Sequence, residues 1–192
     1  MDETRQRIID AAMALVRDKG YAATTTKDIA HMAGENECTL FRKFESKKDI
    51  ILNGMEQEKW RPEVTQEIFE HVKWDLEPDL ILFMKNYMDR ITPDFVNLSI
   101  GLRAPQLYGD TAPLIMKIPK AFISTLVEYF KSMEDKGKIP HMDFESLAVT
   151  IFSTTFGFTF LKASFASNLT DIGQESFIEE SVRTFVKGIP QI

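Results

Sequence analysis

The amino-acid sequence predicts an all-α fold, with a small three-helix module at the N-terminus and a larger helical domain after it. Apolar residues recur every three or four positions over most of the 192 residues, which is the periodicity of amphipathic helices. Alternation of apolar and polar residues, which indicates strands, is rare. Glycines and prolines divide the chain into segments of helical length. We expect the two domains to span residues 1–48 and 49–192.

The first predicted helix covers about Glu3–Lys19. Ile8, Ala12 and Val16 share one face of this helix, and Gly20 follows its last residue. Glycine is favoured at that place because a chain often leaves a helix through a residue with positive φ.

A short helix, a turn and another short helix are predicted next. The run Thr25-Thr-Lys-Asp28 has the form of a capping box, in which the first and fourth side chains satisfy free backbone N–H groups. Gly34 ends this helix, and Asn36 caps a third helix over Glu37–Phe44. The spacing is that of a helix-turn-helix motif, whose second helix enters the major groove of DNA.

Six further helices are predicted after the third. The fourth begins at Lys47 and continues either to about Glu58 or, with a kink at Arg61-Pro62, to Val72. Prolines divide the middle of the chain into helices near residues 79–91, 94–103 and 112–134. Two long helices follow, over about residues 143–166 and 174–187.

The net charge of −6 is unevenly distributed. Residues 1–50 contain nine basic and nine acidic residues, so the whole excess of acid lies in the rest of the chain. The field of DNA phosphates decays over about 8 Å at physiological salt, so a local group of basic side chains is enough for binding. The acidic composition therefore does not exclude a nucleic-acid partner.

The segment from Arg5 to Leu52 carries a recognisable set of residues. Its landmarks are Ile9 to Ala12, Gly20-Tyr21, Thr24-Thr25, Asp28-Ile29-Ala30, Ala33-Gly34, Thr39-Leu40-Phe41, Phe44 and Ser46-Lys47. With these residues the segment closely resembles the N-terminal module of the tetracycline-repressor (TetR/AcrR) family of bacterial transcription regulators. The rest of the chain agrees with that family only in length, helical pattern and the two final long helices. The resemblance implies a dimeric DNA-binding protein with a ligand cavity in the C-terminal domain.

The DNA contacts expected from this motif lie on three helices. The third helix reads bases, while the N-terminal ends of the second and fourth helices suit phosphates. The expected contacts are Thr25, Lys27, Glu37, Cys38, Thr39, Phe41, Arg42, Lys43, Lys47 and Lys48.

Three of these residues depart from the pattern of the family. Glu37 stands where the family usually has a basic or small residue, and it either accepts a hydrogen bond from a cytosine amino group or only caps the helix. Cys38 replaces Gly or Ala, and it is either a redox-sensitive thiol or a small side chain tolerated close to DNA. Phe41 stands where the family often has Tyr, so the hydroxyl that would reach a phosphate is missing.

The two final helices favour a subunit interface. The helix over residues 143–166 is apolar on nearly every face, so it must be covered on both sides, by its own domain and by a second subunit. The interface residues that we expect are Phe144, Leu147, Ile151, Phe158, Phe177, Ile178, Val182, Phe185 and Val186. Two-fold pairing would place two recognition helices about one DNA turn apart.

The C-terminal region is also rich in phenylalanine, with 13 of the 15 Phe residues after residue 50. Such side chains suit a cavity for a small lipophilic effector, although Phe and Met at helical spacing are also ordinary core residues. The expected lining is Phe83, Tyr87, Met88, Phe95, Leu98, Leu102, Arg103, Tyr108, Met116, Phe122 and Phe156. Arg103 would either face an anionic head group or be a solvated surface residue.

Other classes of protein find little support. One cysteine excludes an internal disulfide, the first residues lack the pattern of a signal peptide, and the uncharged run Ser146–Leu161 is too short and too polar for a membrane span. No metal, cofactor or catalytic signature occurs. We therefore predict a cytoplasmic homodimeric repressor that binds a palindromic double-stranded operator and is released by a lipophilic effector. The alternative is an all-helical enzyme or small-molecule-binding protein with a vestigial helix-turn-helix.

Overall fold

The structure, a computed structural model, describes residues 2–60, 66–165 and 168–190. This part of the chain is helical and contains no strand. Its α-helices are α1 (Glu3–Ala23), α2 (Thr26–Met32), α3 (Glu37–Lys43), α4 (Lys47–Met55), α5 (Leu76–Arg90), α6 (Pro93–Gly101), α7 (Pro105–Ile115), α8 (Lys117–Asp135), α9 (Phe144–Phe165) and α10 (Gln174–Lys187). Short 3₁₀ helices cover Glu58–Trp60 and Gln66–Glu70. The predicted fold class is confirmed.

The chain forms two compact units. The N-terminal unit comprises Met1–Pro62 and Asp94–Met116, and the C-terminal unit comprises Glu63–Pro93 and Lys117–Ile192. The N-terminal unit is therefore larger than the span 1–48 expected from the sequence. It includes α4, α6 and α7 because their apolar side chains are needed to close its core.

The core of the N-terminal unit is built around α1. Fully buried side chains of α1, α2, α3 and α4 meet there, and three leucines of residues 94–116 complete the cluster: Leu98, Leu102 and Leu107. Helix α6 approaches α1 closely at Gly101, where a Cβ atom would lie 2.3 Å from the carbonyl oxygen of Val16. Only glycine permits this packing, because real Cβ atoms do not come so near to an oxygen.

Several helix ends differ from the predicted ones. Gly20 has the expected positive φ of 79°, but helical structure resumes after it to Ala23. Helix α4 ends at Met55 rather than Glu58, and Trp60 packs against the core of its unit. The segment predicted as one helix over residues 112–134 is divided at Met116. Pro119 has no N–H and stands in the first turn of α8, where a helix tolerates it.

The C-terminal unit is a helical cluster with an aromatic interior. In it α8 packs on α9, α10 packs on α5, and α5 also contacts α9. Phe83, Phe122, Tyr129 and Phe130 are almost completely buried. The predicted helix 143–166 is observed as α9, and its expected last residue, Ala166, lies outside the described residues.

One carboxylate is buried inside this unit. Asp79, 1% exposed, accepts hydrogen bonds from the backbone N–H groups of Lys73 (2.8 Å) and Asp75 (3.0 Å) and from the Tyr129 hydroxyl (2.9 Å). These three donors compensate the loss of water around the charge. Burial and the neighbouring charge of Asp79 raise the pKa of Tyr129, so its hydroxyl remains a donor. Asp79 thereby fixes the entry into α5.

Helix α9 is the one described helix that is long and apolar enough to cross a membrane, with a mean hydropathy of 1.3 over its best window. The uncharged run Ser146–Leu161 is by itself too short and too polar for a membrane span. The helix that contains it has 22 residues, which is long enough for a span. Its packing against α8 and α5 is equally typical of a core helix in a helical bundle.

Candidate nucleic-acid interface

The N-terminal ends of α2 and α3 are capped by local hydrogen bonds, and a turn at Gly34 joins the two helices. The Thr25 hydroxyl accepts from the Asp28 N–H (3.1 Å), and the Asp28 carboxylate accepts from the Thr25 N–H (3.2 Å). Gly34 has a φ of 71°, and the Asn36 side chain accepts from the Thr39 N–H at 2.8 Å. The predicted capping box and N-cap are confirmed. They set the directions of both helices of the motif.

Helix α3 presents one face to solvent and one to the core. Leu40 is fully buried and Phe44, at the C-terminal cap, is nearly so. On the opposite face Glu37, Cys38, Phe41 and Arg42 are exposed, whereas Thr39 and Lys43 are half-buried. The Phe41 ring is 53% exposed, so it can contact a partner on this face. The outward face offers acidic, basic and apolar groups at the spacing of one helical turn.

Glu37 is held by a residue that the sequence analysis did not nominate. The Thr26 hydroxyl, at the start of α2, donates to a Glu37 carboxylate oxygen at 2.7 Å. The bond joins the N-terminal ends of α2 and α3. It leaves the second carboxylate oxygen of Glu37 as an acceptor. No local sequence pattern indicates this pair, because Thr26 and Glu37 belong to different helices.

The basic side chains of this unit are mostly paired with carboxylates. Lys43 donates to Asp2, and this bond holds the pKa of the Asp2 carboxyl below its ordinary value of 3.8. Lys48 on α4 pairs with Asp110 on α7 at 2.5 Å. Among the described residues, Lys27 and Arg42 make no ion pair. Of the basic side chains expected to contact DNA, Lys27 and Arg42 are therefore without a carboxylate partner in the part of the chain described, whereas Lys43 and Lys48 each have one.

Lys47 has mainly internal partners. Its ammonium group donates to the carbonyl oxygens of Tyr21 (2.7 Å) and Thr24 (2.6 Å) and lies 3.9 Å from the centre of the Tyr21 ring. Partial burial, with the nearby charge of Lys19, lowers the pKa of Lys47. Two of its three N–H groups are engaged, so at most one remains for a phosphate. Ser46 caps α4 beside it by accepting from the Asp49 N–H at 3.1 Å.

Arg5 on α1 was also not nominated from the sequence. Its guanidinium donates to the Lys43 carbonyl oxygen (2.6 Å) and to the Asn53 side chain (2.8 Å), and it covers the Phe44 ring at 4.1 Å. These contacts tie the end of α3 to α1 and α4. Arg5 therefore positions the recognition helix rather than facing solvent.

The residues expected to line an effector cavity are divided between the two units. Phe83, Tyr87, Met88 and Phe122 are buried in the C-terminal unit, where Phe156 is half-buried. The others belong to the N-terminal unit: Leu98 and Leu102 lie in its core, Phe95 is half-buried, and Arg103, Tyr108 and Met116 are exposed. Leu98 and Leu102 are core residues because α6 closes the cluster around α1.

Two cavities lie in the C-terminal unit, the first with a mainly apolar wall and the second with a more polar one. One of about 270 Å³ is lined by Met88, Ile91, Phe158, Thr159 and Lys162, together with residues 171–174. Another of about 560 Å³ lies beside Trp74, Met133, Ile139, Val186 and Ile189, with charged residues at its rim. Of the expected lining residues, only Met88 borders one of these two cavities. The sequence did not indicate the residues that do, since helical periodicity does not distinguish core positions from the wall of a cavity.

The residues expected at the subunit interface are largely occupied within the chain. Five of the nine are buried in the C-terminal unit: Phe144, Ile151, Phe158, Ile178 and Val182. The other four, Leu147, Phe177, Phe185 and Val186, are half-buried. The five buried side chains have no surface left for a partner. The face of α9 that is open instead carries Val149, Ser153, Gly157 and Leu161.

The amino-acid sequence is similar to those of known bacterial regulators. The family model described as bacterial regulatory proteins, tetR family, matches residues 8–53. A Bacillus subtilis (strain 168) protein described as an uncharacterized HTH-type transcriptional regulator, YvkB, is 31% identical over 189 residues, which cover 98% of both chains.

Solved structures share the fold at lower identity. The fatty acid degradation regulator FadR from Bacillus halodurans superposes with a TM-score of 0.72 at 17% identity, covering 98% of this chain and 97% of that one. NalD, the secondary repressor of the MexAB-OprM multidrug efflux pump in Pseudomonas aeruginosa, gives 0.69 at 17% identity, with coverage of 98% and 96%.

Proposed function

Because the chain belongs to the TetR family of transcriptional regulators, we propose that it is a repressor that binds a palindromic operator as a homodimer and is released by a small lipophilic effector. The observation that carries this proposal is the outward face of α3. Its exposed Glu37, Cys38, Phe41 and Arg42 follow a capped turn and stand on a helix whose other face is buried. This arrangement suits insertion into a major groove.

Within this proposal the side chains have different tasks. Arg42 and Thr39 contact base edges. The exposed Phe41 ring has no hydroxyl for a phosphate and packs against a thymine methyl group instead. Thr25 and Lys27, at the N-terminal end of α2, bind a phosphate, as does the capped N-terminal end of α4. Glu37 accepts a hydrogen bond from a cytosine amino group through the carboxylate oxygen that is not bonded to Thr26.

Dimerisation through the open face of α9 is the second part of the proposal. Val149 and Leu161 are about 40% exposed on this face, at 41% and 39%. Nothing lies within 4 Å of a Cβ atom built on Gly157, so a second helix has room to approach there. In the proposed dimer the two recognition helices would enter successive major grooves, which lie about 34–36 Å apart.

The effector is proposed to bind in the C-terminal unit. The cavity beside Met88, Ile91 and Phe158 offers an apolar wall, and Lys162 stands at its edge. NalD is named as a repressor of a drug efflux pump and FadR as a regulator of fatty acid degradation. The roles in these names support a lipophilic effector as part of the proposal for this chain. Effector binding would favour one of two dimer shapes and so change the spacing of the recognition helices.

A mobility-shift assay tests the proposal directly. The probe is a duplex selected by the protein from a random-sequence library, beside an unrelated duplex of equal length. We expect tight binding to the selected duplex and a loss of about 0.5–1.5 kcal/mol of discrimination in Thr39→Ala, the contribution of one neutral hydrogen bond. Lys131→Glu, an exposed change on α8, is the control. Failure to select any sequence would favour a helical binding protein or enzyme with a vestigial motif.

Release is tested separately with the same probe. Medium-chain fatty acids and hydrophobic cationic drugs are added to the bound complex, and release at concentrations that leave the melting curve cooperative supports the effector. If every compound leaves the complex intact, the effector proposal fails while DNA binding stands.

A further inference from the structure

The ion pair between Lys48 and Asp110 joins the DNA-facing helix α4 to a helix outside the motif. Lys48 is the second residue of α4, and its ammonium group lies 2.5 Å from an Asp110 carboxylate oxygen. Both side chains are about half exposed, at 42% and 44%. The pair therefore lies at the surface, where water, salt or a phosphate group can compete for the lysine.

Asp110 is held in place by its neighbours on α7. Leu107, one turn before it, is completely buried in the core of the N-terminal unit. Thr111, directly after it, is also completely buried, and its hydroxyl donates to the Leu102 carbonyl oxygen at 3.0 Å. With anchors on both sides, the backbone of Asp110 stays in place if Lys48 turns to another partner, and the carboxylate can move only by rotation of its short side chain.

A carboxylate in this position opposes DNA binding in two ways. It occupies the ammonium group that would neutralise a phosphate, and it remains as a negative charge close to that phosphate after Lys48 has moved. Resting on the proposed DNA-binding function, we propose that Asp110 is an affinity-setting residue: it competes with the DNA backbone for Lys48 and holds operator affinity below the value that the basic side chains alone would give.

The competition has a defined size. An exposed ion pair of this kind is worth a small amount, so its removal strengthens binding by about two- to fivefold for each subunit. Each Lys48 that gains a phosphate contact makes the slope of log affinity against log salt steeper by about 0.9. Phosphate contacts carry no sequence information, so the gain is equal on operator and unrelated DNA.

The test uses the full chain and a long random-sequence duplex, which needs no knowledge of the operator. Affinity is measured over a series of salt concentrations for the wild type, Asp110→Asn, Lys48→Met and the double variant. Asp135→Asn is the matched control, because it removes the same charge from an exposed site in the C-terminal unit. Melting curves check that the variants fold.

We expect tighter binding and a steeper salt slope in Asp110→Asn and no change in Asp135→Asn. When Lys48 is already Met, Asp110→Asn should give a clearly smaller gain, because only the repulsion between Asp110 and the phosphate is then removed. Equal gains in both Lys48 backgrounds would mean that Asp110 acts only through overall charge and would overturn the proposal. Unchanged or weaker binding of a folded Asp110→Asn would overturn it as well. If the wild type binds no duplex at any salt concentration, the proposed DNA-binding function is wrong, and the proposal for Asp110 fails for that reason.

Discussion

The ammonium group of Lys47 lies over the ring of Tyr21 and donates to the Tyr21 carbonyl oxygen, so one side chain of α4 closes the C-terminal end of α1. This end lacks a basic residue of its own in the last turn. Lys47 supplies the missing positive charge from another helix. It donates to the Thr24 carbonyl oxygen and, beside the Thr24 N–H at 3.3 Å, to the Tyr21 carbonyl oxygen. The lysine is thus a structural residue of the N-terminal unit in addition to any contact with DNA.

Replacing Lys47 should lower the stability of the fold. Lys47→Met keeps much of the side-chain volume but removes the donor to the Thr24 carbonyl oxygen and leaves the Tyr21 carbonyl oxygen with the Thr24 N–H alone, at a cost of about 1–3 kcal/mol. Lys48→Met is the control, since its exposed ion pair contributes only about 0–1 kcal/mol. The free energy of unfolding is measured by urea denaturation. Equal losses in the two variants would contradict the internal role of Lys47.

The contact between α6 and α1 predicts opposite effects for two glycine substitutions. Gly101→Ala forces a Cβ atom against the Val16 carbonyl oxygen and should destabilise the protein by about 1–3 kcal/mol. Gly109→Ala, on α7, has nothing within 4 Å of the new atom. It should stabilise the protein by about 0.5–1 kcal/mol because alanine loses less entropy in a helix. Thermal unfolding of both variants gives the sign of each change in stability. A Gly101→Ala variant as stable as the wild type would mean that α6 and α1 can move apart without loss of stability.

Local features of the DNA-binding motif could be derived from the sequence. The capping box of Thr25 and Asp28, the positive φ of Gly34 and the Asn36 cap are all present, since each depends on hydrogen bonds within a few residues. The partners of Lys47 and Lys48 could not be derived. Tyr21 and Asp110 lie far from them in the chain, and charge patterns do not reveal long-range pairs.

The orientation of α9 shows a second limit of the sequence. Ile151 and Phe158 were expected at a subunit interface and are buried in their own unit. A helix that is apolar all round has no preferred apolar face, so periodicity cannot tell which side faces the core. The small residues Ser153 and Gly157 mark the open side, but small residues are as common inside helical bundles as between subunits.

Acid should remove the contribution of Asp28 to stability. The Lys19 ammonium group, at 2.6 Å, and the Thr25 cap hold the pKa of Asp28 at about 2, against an ordinary value of 3.8. A carboxyl with a lowered folded pKa stabilises the fold above its unfolded pKa and loses that effect as pH falls through the folded pKa. Asp28→Asn should therefore melt at a lower temperature than the wild type at pH 7, with the difference closing between pH 4 and 2. A constant difference over this range would show that the cap acts without the charge, and Asp135→Asn supplies the baseline.

The open face of α9 predicts a variant that separates the subunits without unfolding them. Gly157→Arg places a long charged side chain where a Cβ atom meets open space in the single chain, so the folded subunit accommodates it, and arginine favours the helix more than glycine does. Across a two-fold axis the two arginines would face each other, so a dimer through this face should dissociate. Loss of bivalent binding should then weaken operator affinity by about 100-fold or more. Light-scattering mass after gel filtration measures the first effect and a mobility shift the second. Lys131→Glu, on the exposed side of α8, should alter neither. A Gly157→Arg protein that remains dimeric would place the interface on another surface.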